Sequence, residues 1–102
     1  MDSADRLALE RSPSPARLAE LGVHAWPVWK DGPGQRTLTL DDAEKSYFLA
    51  GRATLTLENG DSVTVNTGDL VAVPAGVCQW TVHEAVRRHY RSSALSPACC
   101  II

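Results

Sequence analysis

An all-β fold, a small barrel, sandwich or jelly roll, is predicted by three features of this 102-residue chain. From Val23 onward, short runs rich in Val, Thr and Leu follow one another, and each closes on a turn signal after a few residues. Residues 67–80, TGDLVAVPAGVCQW, condense the pattern into turn, strand, turn, strand. Gly68-Asp69 makes the first turn, and Pro74 with Gly76 makes the second, because Pro cannot donate to a central ladder and Gly tolerates a sharp reversal. Finally, nothing beyond Val23 carries the 3.6-residue period of an amphipathic helix of useful length.

Taken in order, residues 1–13 read as a loosely held arm. Ser14-Pro15 starts a short helix, with Ser14 as N-cap and Pro15 at the first helical position. Leu18 and Leu21 share a face of that helix, and Gly22 ends it. Residues 23–30, VHAWPVWK, read as extended, with Pro27 demoting them to an edge strand. Trp26 and Trp29 are large apolar side chains that bury against the sheet or line a subunit interface. After the loop 31–34, strands are expected over 35–40 and 44–50, with Arg36, Leu38 and Leu40 on one face of the first. Gly51 ends the second. Residues 52–58 alternate Leu55 and Leu57 against Thr54 and Thr56, and Asn59-Gly60 signals a hairpin to 62–65. Strands over 70–73, 78–82 and 86–92 complete the domain, which spans 14–92, and 93–102 reads as a tail.

Composition sets further bounds. A net charge of −2 and a pI near 5.8 argue against a nucleic-acid partner, which requires a basic patch. No apolar run reaches the roughly 18 residues needed to span a bilayer, and residues 1–15 lack the apolar block of a secretory signal. Three cysteines, Cys78, Cys99 and Cys100, form no spaced framework, so a reducing, cytoplasmic setting is expected. Cys99-Cys100-Ile101-Ile102 has the outline of a prenylation box, but Ile is not a usual last residue and no polybasic segment precedes it.

The motif residues resemble a known superfamily. Gly68 followed by Pro74-Ala75-Gly76 is similar to the second cupin motif, and Glu44 followed by Gly51 to the end of the first. Leu21-Gly22-Val23, Trp26-Pro27, Trp29, Tyr47, Cys78, Trp80 and Val86-Arg87-Arg88-His89-Tyr90 extend the resemblance to the small cupin-3, or DUF861, family. That family is related to ureidoglycine aminohydrolase-type and ethanolamine-utilisation-type cupins. The resemblance implies a cupin-type jelly-roll β-barrel (a double-stranded β-helix), commonly dimeric, with a pocket at one mouth. It also implies where a metal would be held: by two His three or four positions before the Glu, by the Glu itself and by a His of the second motif. Those positions hold Leu38 and Leu40, or Thr37 and Thr39, then Glu44, then Gln79. Three or four His, carboxylate or thiolate ligands are the usual requirement, so no metal and no other cofactor is expected.

Glu44, Ser46 and Phe48 share a face by the period of two. If the cupin pattern holds, Glu44 lines the barrel interior, where it would suit a general base, with Arg36, Ser46 and Gln79 as ligand-binding neighbours. The competing reading is a polar pair that merely satisfies the interior. Arg87, His89 and Arg91 fall on one face of the last strand. Three functions remain open: a small polar or anionic molecule bound in the barrel mouth, with metal-independent acid–base or hydrolytic chemistry by Glu44; a non-catalytic, dimeric binding module; or a metal enzyme using Glu44, Gln79 and His83. An isologous homodimer through the edge strand bearing Trp26 and Trp29 is expected.

Overall fold

The structure, a computed structural model, describes residues 7–92. Two long strands organise it. β4 (Glu44–Leu57) and β7 (Gly76–Ser92) pair antiparallel over nearly their whole length, from Glu44 opposite Ser92 to Leu57 opposite Cys78. The sequence reading divides each of these into two strands; the structure fuses each pair into one bent strand. The bend lies between Phe48 and Ala53, where the register slips against β7. Gly51, at φ 92°, sits in it, and an added Cβ there would meet the Ala85 backbone. A lone Gly within a strand pattern marks a bulge as readily as a strand end.

The bend lets each long strand change neighbours. The first half of β4 pairs with β6 (Leu70–Val73), and its second half pairs with β5 (Ser62–Val65) across the expected hairpin. On the other side of β7, β3 (Gly34–Leu40) takes residues 76–82 and β2 (Val28–Asp31) takes residues 86–89. The seven-stranded sheet therefore curls on itself. It encloses a core in which Phe48, Leu55, Val65, Val71 and Trp80 are inaccessible or nearly so.

β1 (Ala8–Glu10) pairs with β6, so residues 8–10 of the expected arm form an edge strand. Leu7 and Leu9 cover core that β6 would otherwise expose as an edge. Asp69, almost fully buried, holds the strand's exit by accepting from the Arg11 side chain at 3.3 Å and the Ser12 amide at 3.3 Å.

The helix forms as its caps dictate. In α1 (Pro15–Leu21), the Ser14 hydroxyl accepts from the Arg17 amide, and Gly22 at φ 71° donates to the Ala19 carbonyl. Leu18 then packs with Val23, Trp26 and Leu70 in a second cluster on the outer face of the barrel. Val23–Ala25 form a 3-10 turn rather than extended chain, so the strand begins only at Val28. No helix among the described residues is long and apolar enough to cross a membrane. Cys99 and Cys100 lie outside the described residues.

Candidate functional site

The period of two holds in β4: Glu44, Ser46 and Phe48 all point inward. What they meet is Arg88, which β7 carries inward between Val86 and Tyr90. The Arg88 guanidinium donates through Nη1 to Glu44 Oε1 at 3.0 Å and to Ser46 Oγ at 2.7 Å. It lies over the Trp80 ring at 4.6 Å and near the Tyr90 ring at 5.4 Å. Trp80 stacks in turn against Phe48. The cation is thus held by a carboxylate, a hydroxyl and an aromatic face, the combination that compensates removal of a guanidinium from water.

β2 and β3 complete the cluster because they pair with consecutive stretches of β7. Asp31, at the end of β2, lies 3.0 Å from Arg36 Nη1 and 4.0 Å from Arg88 Nε. It also accepts from the Trp29 indole at 3.1 Å, and Trp29 meets Tyr90 edge-on. Exposure rises outward through the cluster: side-chain values are 6% for Arg88, 13% for Glu44 and Asp31, and 34% for Arg36. Trp29, at the rim, is half exposed. Two positive and two negative groups balance there, yet the hydrogen bonding does not. Arg36 Nη1 has Asp31 at 3.0 Å and the Trp80 indole interacts with the Cys78 thiol, whereas Arg88 Nε is a buried donor whose nearest carboxylate oxygen, on Asp31, is 4.0 Å away.

The expected site residues separate into two groups. Glu44, Ser46 and Arg36 come to this end of the barrel. Glu44 and Ser46 are engaged by Arg88, whereas Arg36 pairs with Asp31 and the Gly32 carbonyl rather than with Glu44. Gln79 does not join them. It is exposed on the outer face, opposite Thr37 and Thr56, because Cys78 and Trp80 take the inward positions of its strand. His83 is also outward, 2.8 Å from the Thr54 hydroxyl, so Glu44, Gln79 and His83 form no common site. His89, on the face predicted for it, is buried beneath the N-terminal segment and hydrogen-bonds the Trp26 carbonyl at 2.9 Å. Trp26 is itself buried, leaving Trp29 and Val28 as the exposed apolar residues of the edge strand.

Arg88, Asp31, Trp29, Trp80 and Tyr90 are absent from the sequence-predicted site. For Arg88 a signal existed: the alternation that turns Arg87, His89 and Arg91 outward turns Arg88 inward among apolar residues. Asp31 sits beside a Gly-Pro-Gly loop, and its proximity to Glu44 depends on the sheet curling.

The residues do not fit a metal of the kind metal-binding cupins hold. Leu38 and Leu40 are inward and apolar, Thr37 and Thr39 are outward, and the Glu44 carboxylate is held by Arg88. Among the described residues no group of three His, Cys, Asp or Glu side chains is placed to bind one. The inward sulfur, Cys78, is fully buried, and burial pushes its thiol from 9.0 up to about 11, with the Glu44 charge adding to the rise. The unfolded chain therefore loses this proton before the folded one, so stability falls as pH rises from 9.0 to about 11. A loss of about 2 to 3 kcal/mol across that window is expected, and Cys78→Ala should flatten it in denaturant titrations run at each pH.

Comparison with known proteins places the chain. The sequence model of the EutQ-like cupin domain matches residues 18–90. A DUF861 family protein from Thermotoga maritima is 36% identical, with a TM-score of 0.80, covering 85% of this chain and 99% of that one. A DUF861 family protein from Pseudomonas syringae is 29% identical with a TM-score of 0.55, over 88% of this chain and 45% of its own length. The EutQ protein of Clostridium difficile, at 23% identity and a TM-score of 0.56, covers 62% of this chain and 50% of its own and shares the fold. A search of curated proteins finds no match.

Proposed function

The chain belongs to the EutQ-like cupin domain family, whose fold it adopts, and on that premise we propose that it binds a small carboxylate-bearing molecule at the charged end of its barrel. The observation that carries this reading is the open edge of a buried cation: Arg88 Nε has no hydrogen-bond acceptor, its nearest carboxylate oxygen being Asp31 at 4.0 Å, and a second cation, Arg36, stands beside it on the same carboxylate. An unmatched buried donor costs about 1–3 kcal/mol, and an oxygen acceptor entering past the partly exposed Arg36 would recover that. A carboxylate suits best because guanidinium N–H groups match its two oxygens. The exposed Trp29 ring at the rim offers a planar or apolar body a surface to lie against. In this reading Glu44 orients Arg88 rather than abstracting a proton, since its Oε1 accepts directly from the guanidinium.

The test is a thermal-shift series at constant ionic strength with acetate, succinate and benzoate, set against acetamide and benzamide. The carboxylates should raise Tm and quench tryptophan fluorescence, with benzoate strongest. An aligned ligand at about 100 times its Kd would add about 2.7 kcal/mol. Arg36→Ala, at the rim, should remove the response while leaving the fold intact. Equal shifts from the amides, or none from any carboxylate, would overturn the proposal.

A further inference from the structure

We infer that the Arg88 guanidinium stands in this barrel where a metal-binding cupin would hold its ion, as a resident cation supplied by the chain itself. Glu44 is the one residue that matches the family's metal-binding pattern, and the oxygen it would offer an ion accepts from Arg88 Nη1 at 3.0 Å. The remaining ligand positions have been lost in different ways. Leu38 and Leu40 are apolar and inward, and Gln79 is turned to the outer face. Arg88 is anchored beyond what one ion pair requires. Ser46 Oγ accepts from the same Nη1 at 2.7 Å, the Trp80 ring lies beneath the guanidinium at 4.6 Å, and Asp31 stands 4.0 Å from Nε.

A guanidinium held in this way mimics two properties of a bound ion. It fixes a full positive charge in a poorly solvated place, and it leaves one edge unsatisfied, at Nε. Unlike an ion it cannot be chelated away. The barrel interior is therefore charged and organised without loading. This inference concerns the occupant of the cation place and stands whether or not a carboxylate binds beside it.

Two measurements test it. Protein prepared with and without a chelator, then offered Zn²⁺, Mn²⁺ or Ni²⁺, should show no stoichiometric ion by elemental analysis and no change in Tm. An ion bound one to one and lost in Glu44→Gln would overturn the inference. Arg88→Ala should then uncover the cation place. Its Tm should fall, and millimolar methylguanidinium or Mn²⁺ should return part of the loss, a rise on the order of 5 °C for a cation at about tenfold its Kd. Adding Glu44→Gln should abolish that return. An Arg88→Ala protein that no cation restores would show an ordinary ion pair and end the inference. If Arg88→Ala does not fold, the same competition is read on Arg88→Gln, whose neutral amide still donates to Ser46 but leaves Glu44 without a cation; no response to any added cation there is likewise fatal. A wild-type protein that ignores every carboxylate would sink the ligand proposal alone.

Discussion

Replacing Arg88 by Leu should lower stability by about 3–5 kcal/mol, the range seen when one partner of a buried ion pair is removed. The side chain is only 6% exposed, and its loss would leave Glu44, at 13%, without its charge partner inside the barrel. It would also strip Ser46 of its donor and the Trp80 face of its cation. In a domain of this size the fall in Tm should be on the order of 20 °C. Glu44→Gln should cost less, because a neutral amide oxygen can still accept from Arg88. The pair Glu44→Met with Arg88→Leu should recover much of the single-mutant loss, as apolar replacement of a buried ion pair is often close to neutral. Chemical denaturation of wild type, Glu44→Met, Arg88→Leu and the double variant yields the coupling directly. An Arg88→Leu protein within 1 kcal/mol of wild type (roughly the value of a surface pair) would show that this cluster is solvated rather than buried.

Gly51→Ala is expected to be comparably damaging for a different reason. The residue lies at φ 92°, and a Cβ there would meet the carbonyl oxygen and carbon of Ala85 and the Glu84 oxygen at 2.8 Å. Backbone strain of about 1–3 kcal/mol adds to an overpacking cost of about 1–3 kcal/mol, so a total of about 2–6 kcal/mol is expected. Gly60→Ala supplies the control. Its φ of 95° is nearly the same, but an added Cβ would meet nothing within 4 Å. The difference between the two variants in urea titrations isolates the backbone contact between β4 and β7. Equal losses would mean that the bend is not pinned where the structure puts it.

These two variants probe one arrangement. The bend at Gly51 lets the two long strands exchange neighbours, and that exchange sets β2 and β3 in sequence along β7. Asp31 and Arg36 are brought to Arg88 by this route, although Arg88 is more than fifty positions away along the chain.

Local grammar was readable in advance wherever the cause was local. Ser14 and Gly22 bracket the helix because a cap needs only its own turn. Asn59-Gly60 makes its hairpin, and Glu44 and Ser46 face inward because alternation is a property of the strand itself. The family resemblance likewise rests on spacing within short motifs. Gly51 shows where local grammar runs out: a glycine between two alternating runs suits a strand end and a bulge equally, and the choice depends on whether Ala85 backs against it. Gln79 was misplaced because motif alignment assigns it a role, whereas Cys78 and Trp80, larger gains in apolar burial, take the inward positions. Arg88 was legible as inward but not as partnered, since nothing local says that an arginine near one end will find a glutamate near the middle. Long-range pairing decided which charges meet, because the energy of a buried charge depends on what the fold sets beside it and not on its neighbours in the chain.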